Sequence, residues 1–326
     1  MQTTTPAVPS TRFFDRAEAV REAARDELVR TLAAPAASIP PKYFYDALGS
    51  ALFAAITELP EYYPTRVEAA ILAERRDELA RRLGPGATLI DLGAGDCSKG
   101  SALADVIAPA QYVAVDIASG FVARGLEALR RRHPDLDAIG VGTDFAESLW
   151  LPDAVRADRR VFFYPGSSIG NFDPPAARAF LSRVRARTDA RGALLIGVDR
   201  VKDADVLVRA YDDALGVTAA FDLNVLRHVN RLIGSDFDVA DWRHVALWNE
   251  AASRIEMHLE ARHALRVRWP GGERRFVAGE SIHTENAYKY APGAFERLLG
   301  EAGFACSATW TDAEARFAVI HAVPAH

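Results

Sequence analysis

The sequence has 326 residues, enough for one large domain or two modest ones, each with its own core. With 49% hydrophobic and 25% charged residues it has the balance of an ordinary globular chain, and a net charge of -5 excludes the basic surplus of a nucleic-acid binder. Two cysteines, Cys97 and Cys306, are too few for a disulfide framework or a zinc quartet, and no stretch approaches the roughly 20 apolar residues that cross a bilayer.

Residues 1–10 are polar and proline-containing, without the apolar centre of a signal peptide. A monomeric cytoplasmic protein with no membrane or nucleic-acid partner is expected. The basic clusters Arg75-Arg76, Arg81-Arg82 and Arg130-Arg131-Arg132 fall on predicted helices beside acidic neighbours and read as solvated faces.

From residue 87 strands and helices alternate. Residues 87–92 (ATLIDL) form a short apolar strand that runs into glycines, and 98–107 a helix. Residues 112–117 (YVAVDI) are a second strand and 120–131 a second helix. A weaker strand, 138–142, ends at Thr143-Asp144-Phe145; 160–164 (RVFFY) is a fourth. Residues 175–187 are a helix with proline in its first turn, and 193–198 (ALLIGV) a fifth strand. Near-continuous apolar strands separated by helices predict an α/β fold with a parallel sheet covered on both faces.

Residues 202–290 break this rhythm. Two helices are predicted over 207–215 and 217–232. A long strand is predicted over 254–268, with Ile255, Met257 and Leu259 on one face. Pro270-Gly271-Gly272 then turns the chain so that 274–277 pairs back. The tail resumes with a helix over 293–301, Gly303 as its stop, and an antiparallel hairpin near 307–310 and 317–322. The expected division is a core domain of 66–204 plus 291–326 and a second domain of 15–65 plus 205–290, the latter stretch inserted between the fifth strand and the last helix.

The first chemical signal is Leu92-Gly93-Ala94-Gly95-Asp96, directly after the first strand. Glycines there allow a tight turn and a close ligand approach. Asp116 ends the next strand, at the distance expected of an acid that accepts two ribose hydroxyls, and Asp144-Phe145 ends the third. All lie at the carboxyl edge, where open α/β sheets bind ligands. Adenosylmethionine and dinucleotide enzymes share this pattern. Ser98 stands where the dinucleotide motif has its third glycine, which disfavours the oxidoreductase reading. As a plainer alternative, Asp116 is a helix cap.

Three further groups follow. Tyr43-Phe44-Tyr45, Phe53 and Glu61-Tyr62-Tyr63 supply aromatic walls with hydroxyl tips, suited to a sulfonium and an amino acid, or simply to a core. The loop Gly166-Ser167-Ser168-Ile169-Gly170-Asn171 closes the fourth strand, and Asn171 offers both a donor and an acceptor, though asparagine also forms turns. Thr284-Glu285-Asn286, with Tyr211 on the inserted helix, offers a carboxylate for an imidazole N–H or an ordinary surface acid. His258 and His263 fall at opposite parity, no histidine pair has ligand spacing, and no G-x-S-x-G follows a strand, so neither a metal site nor a serine hydrolase is expected.

On these residues the chain resembles the histidine Nα-methyltransferases of ergothioneine biosynthesis, which form hercynine. The stretches PKYFYDALGSALFAAITELPEYYPTR, LIDLGAGDCSKG, GSSIGNFDP, VKDADVLVRAYDDALGVTAAFDLNVL and HTENAYKY carry the resemblance through nearly the whole chain. It implies a Rossmann-like methyltransferase domain with a second, inserted substrate-binding domain, and S-adenosyl-L-methionine as cofactor. It implies cofactor contacts from Gly93, Lys99, Asp116, Asp144 and Phe145, with Tyr45 and Phe53 closing that side. It assigns Tyr62, Asn171 and Tyr211 to the amine and carboxylate of the amino acid, Glu285 to its imidazole and Met257 to packing near the ring, with Asn171 and Tyr45 nearest the chemistry. One position departs from the family. A serine hydroxyl expected two residues after the glutamate is replaced by Ala287, which leaves that hydrogen bond to Asn286, to water, or to a different substrate.

Overall fold

Every apolar run read as a strand between residues 87 and 198 forms one in the computed structural model, which describes residues 12–325 and, of residues 17–23, the backbone alone. The polar stretch 1–10 lies outside the described residues. The chain opens with β1 (Arg12–Asp15), α1 (Ala17–Ala33), α2 (Ala47–Thr57), α3 (Tyr63–Glu74) and α4 (Arg76–Leu83). The alternating part comprises β2 (Thr88–Leu92), α5 (Ser98–Ile107), β3 (Gln111–Asp116), α6 (Ser119–Arg132) and β4 (Asp137–Gly142). It continues with β5 (Arg160–Tyr164), α7 (Pro174–Arg187) and β6 (Ala193–Asp199). The inserted part holds α8 (Ala204–Tyr211), α9 (Val217–Ile233), β7 (Trp242–Asn249), β8 (Arg254–Ala261), β9 (Leu265–Trp269), β10 (Gly272–Phe276) and β11 (Ser281–Tyr288). The tail is α10 (Ala294–Glu301), β12 (Phe304–Thr311) and β13 (Phe317–Pro324).

The main sheet has the order β1-β4-β3-β2-β5-β6-β13-β12. Strands β1 to β6 run parallel, and β13 and β12 return antiparallel. This is the doubly wound α/β architecture expected. The strand order reverses between β2 and β5, and the crevice of such a sheet opens at that point, at the carboxyl ends of the strands. Every residue of β2 and β6 is buried, as a sheet covered on both faces requires.

The insertion corrects three sequence expectations. The strand predicted over 254–268 is two: β8 ends at Ala261, the chain bends at 262–264, and β9 belongs to a separate hairpin with β10. His263 therefore sits in the bend beside Asp241 rather than on the strand of His258. The helix predicted over 207–215 stops at Tyr211, because Asp213 accepts the amides of Val217 and Thr218 and starts the next helix instead. The alternation at Ile255, Met257 and Leu259 does hold, and all three are buried in the middle strand of the sheet β11-β8-β7. Helix α9 packs against α1, α2 and the 3₁₀ turn Pro41–Phe44, and so joins the insertion to the N-terminal segment.

Candidate active site

The turn after β2 is built from residues in the left-handed region, Gly93 at φ 71°, Gly95 at 54° and Cys97 at 62°, and the two glycines adopt it without strain. The turn curls over the end of β3, where Asp116 accepts the amide of Gly95 at 3.0 Å and that of Ala118 at 2.9 Å. Burial raises the Asp116 carboxyl above its ordinary range and these amides counter it. With Thr143, Asp144 and Phe145 after β4 and Tyr164 at the end of β5, these residues line a cavity of about 420 Å³. Lys42, from the N-terminal segment, closes one side. Its ammonium reaches Glu27 at 2.9 Å, Glu147 at 3.0 Å and Asp144 at 3.2 Å.

A second cavity lies beside the first. Its polar atoms come from the loop after β5 (Gly166, Ser167), from Tyr62, Tyr211 and Thr218, and from Glu285 of β11; Met257 and Phe221 add apolar walls. Strand β11 carries a bulge at Thr284, where its register against β8 shifts. A bulge re-aims the residue that follows it. Glu285 then pairs with Met257, and both line the cavity. The loop after β5 reaches β11 because Gly170 has no side chain: a Cβ there would stand 2.9 Å from the Tyr288 carbonyl oxygen. That approach brings Asn171 to the wall of the same cavity as Glu285. Burial first, then the Asp222 carboxylate, pushes Glu285 up to about 8, against the opposing Lys289, Asn171 and His244. Tyr45, Phe53, Ser168 and Asn171 line both cavities.

A model of the family described as histidine-specific, SAM-dependent methyltransferases matches residues 24–324. A histidine N-alpha-methyltransferase of Mycolicibacterium smegmatis is 41% identical over 314 residues, 94% of this chain and 97% of that protein. The corresponding protein of Mycobacterium tuberculosis is 41% identical over 281 residues, 84% of this chain and 87% of its own. Ergothioneine biosynthesis protein 1 of Schizosaccharomyces pombe is 31% identical over 242 residues, 70% of this chain and 31% of its much longer one. The chain belongs to the histidine-specific, SAM-dependent methyltransferases.

The larger cavity of this methyltransferase fits S-adenosylmethionine. It sets an acid at the end of β3 for a ribose and the aromatic faces of Phe145, Tyr164 and Phe53 around a site that must take an adenine and a sulfonium. Of the residues expected at the site, Gly93, Asp116, Asp144 and Phe145 line this cavity, while Tyr62, Tyr211, Met257 and Glu285 line the smaller one. Three stand back from both. Lys99 pairs with the buried Glu68 at 2.7 Å, and Glu68 also accepts the Gly166 amide at 2.8 Å, so Lys99 sits behind the substrate loop. Asn286 faces the other side of β11, where its amide oxygen meets His283 Nε2 at 2.9 Å. Ala287 shares the face of Glu285 but is buried in an apolar patch with Leu207 and Ile255.

Several lining residues were not anticipated. Thr218 borders the smaller cavity, Lys42 and Phe121 the larger, whereas Gly166, which borders the smaller, belongs to the loop already singled out. Thr218 and Phe121 are ordinary helix positions with no signal of their own. Among the described residues no group of three or more His, Cys, Asp or Glu is placed to hold a metal, and no helix is long and apolar enough to cross a membrane.

Proposed function

We propose that this methyltransferase transfers methyl groups from S-adenosylmethionine to the α-amino nitrogen of L-histidine, in three rounds, giving the trimethylated betaine hercynine. The observation that carries the reading is the shared wall. Tyr45, Phe53, Ser168 and Asn171 border both cavities, so a donor methyl in the larger and an amine in the smaller meet there. Relatives named histidine N-alpha-methyltransferase, at 41% identity over most of the chain, support histidine as substrate, and the fungal relative's name supports ergothioneine biosynthesis as its setting.

The cofactor, when bound, supplies an electrophilic methyl carbon on a sulfonium. Asp116 would accept the ribose hydroxyls, and Asp144 and Phe145 would hold the base. Tyr45 and Phe53 turn aromatic surface towards the positive sulfur. Asn171 would hold and orient the neutral amine at the wall the two cavities share, where the donor methyl is delivered. With the methyl group transferred and adenosylhomocysteine left behind, the resulting ammonium would give its proton to water before a further round. Tyr62 and Tyr211 hold the carboxylate end, Glu285 the imidazole, and Met257 packs near the ring.

In this reading 66–204 with 291–326 carries the cofactor and 15–65 with 205–290 the amino acid. The enzyme works as a monomer in the cytoplasm on a small molecule, a setting that the two free cysteines favour. Ala287 favours one second reading, a histidine derivative or another L-amino acid, because its apolar patch offers the imidazole no second hydrogen bond. A panel of free amino acids, with mass detection of successive added methyl groups, tests both; no histidine product would overturn the first. Calorimetry with adenosylhomocysteine and NAD tests the cofactor directly.

A further inference from the structure

Behind the smaller cavity lies a buried charge cluster that the proposed transfer does not use. Asp199 ends β6 with no exposed surface. It accepts Lys202 Nζ at 2.5 Å, the Tyr63 hydroxyl at 2.7 Å and Lys289 Nζ at 2.9 Å. Two ammonium groups thus share one carboxylate, and burial opposes the charge of Asp199 while Lys289 and Lys202 outweigh it and hold the carboxyl below its usual range. Asp312, the other carboxylate near Lys202, is taken by Arg316 at 2.9 Å. Lys289 thus shares the Asp199 carboxylate with a second ammonium, and Glu285 is the other carboxyl that feels its charge.

Lys289 points this charge at the cavity. Its side chain is 1% exposed, and its ammonium stands 3.0 Å from the Tyr211 hydroxyl. An ammonium has only donors, so the Tyr211 oxygen must be the acceptor of that bond. The Tyr211 hydrogen is then free to donate elsewhere, and Tyr211 lines the smaller cavity. A phenol that accepts from a cation is a stronger donor to an anion, because hydrogen bonds in a chain polarise one another. We propose that Lys289, acting through the Tyr211 hydroxyl, is the positioning residue that makes this pocket select amines bearing a free α-carboxylate. The anion that this donor chain meets is the substrate's own carboxylate. This rests on the placement of an α-amino acid in the smaller cavity.

The rival explanation is that Lys289 merely pins the end of β11 to β6. The two differ in substrate discrimination. Dissociation constants for histidine and histamine, its decarboxylated analogue, are to be measured by calorimetry with adenosylhomocysteine present, alongside KM and kcat for histidine. Lys289→Met keeps the length of the stem and leaves Asp199 to Lys202 and Tyr63. It should weaken histidine roughly tenfold or more, the loss of a charge-assisted bond, while histamine changes little and kcat at saturation holds. Tyr211→Phe removes only the hydroxyl, leaves the Lys289–Asp199 pair intact, and should collapse the same ratio; the double variant should be no worse than the poorer single one. Equal losses for histidine and histamine in Lys289→Met, or an unchanged ratio in Tyr211→Phe, would overturn the proposal, and the second result stands even where Lys289→Met does not fold. If the wild-type enzyme ignores histidine, the substrate reading fails by itself, and the ratio is then taken between whichever amino acid the panel identifies and its decarboxylated amine.

Discussion

Replacing Glu285 with glutamine should stabilise the protein while damaging its recognition of histidine. In the folded state burial pushes this carboxyl from its ordinary 4.5 to about 8. The native chain therefore holds a proton that the unfolded chain has already released between these values. With more protons bound to the native state, stability is fully present below about 4.5, falls as pH rises through the window, and levels off above about 8. At pH 7 about 2.5 units of that window have been crossed, which at ~1.36 kcal/mol per unit is a loss of ~3 kcal/mol. Glutamine is neutral at every pH and lacks this slope. For a chain of 326 residues, an unfolding entropy of about 2.1 cal/mol/K per residue converts ~3 kcal/mol into a Tm difference of about 4 °C. Melting curves of both proteins without ligand should be close at pH 4.5 and separate by about that amount at pH 7, with the variant the more stable. Parallel profiles across that range would refute the argument that Glu285 is a buried acid. Histidine affinity should move the other way and fall about tenfold, since the carboxyl can give up its proton and accept the imidazole N–H as a carboxylate when histidine binds, and an amide cannot.

Asp116→Ala should weaken adenosylhomocysteine at least about tenfold by calorimetry, because a charge-assisted acceptor worth roughly 1.5–3 kcal/mol is lost; unchanged affinity in a folded variant removes Asp116 from the cofactor site. Asn171→Ala should cut methylation strongly with little change in cofactor affinity, since it orients the nucleophile; equal losses in both would place Asn171 on the cofactor instead. Ala287→Ser supplies the hydroxyl that the resemblance expects two residues after Glu285, and histidine KM should fall about 2- to 12-fold, the worth of one hydrogen bond. A fall in activity on the true substrate, with a gain on histidine, would mean that the pocket has been widened for something less polar.

The sheet was legible because its strands are buried on both faces and therefore read as unbroken apolar runs, as in IDL before Gly93 and ALLIGV before Asp199. Asp116 and the glycine turn were legible for a related reason: a strand end fixes its last side chain at the crevice. The exposed elements were not. β1 is four residues with only one partly buried, and β7 (WRHVALWN) shows no period-two alternation, with most positions half-buried. The break at 262–264 was hidden because Arg262-His263-Ala264 contains neither glycine nor proline. The standing of Lys99 was out of reach as well, since Glu68 lies 31 positions away on α3 and only the fold brings the pair together. The Lys289–Tyr211 contact spans 78 positions and has no motif.

The short first strand has a practical bearing on how this chain tolerates trimming. β1 lies on the outer side of β4, matching Arg12 to Ile139 through Asp15 to Gly142, and Arg16 donates its amide to the Gly142 carbonyl while its guanidinium covers Trp150. Cutting before residue 17 would bare a row of unpaired amides and carbonyls on a strand whose inner residues are apolar, a template for edge-to-edge association. The uncovered strand is also the one that presents Thr143 and Asp144 to the larger cavity. Shortened forms of this enzyme should therefore pay twice, with clumping in storage and slack cofactor retention, although none of residues 12–16 lines either cavity.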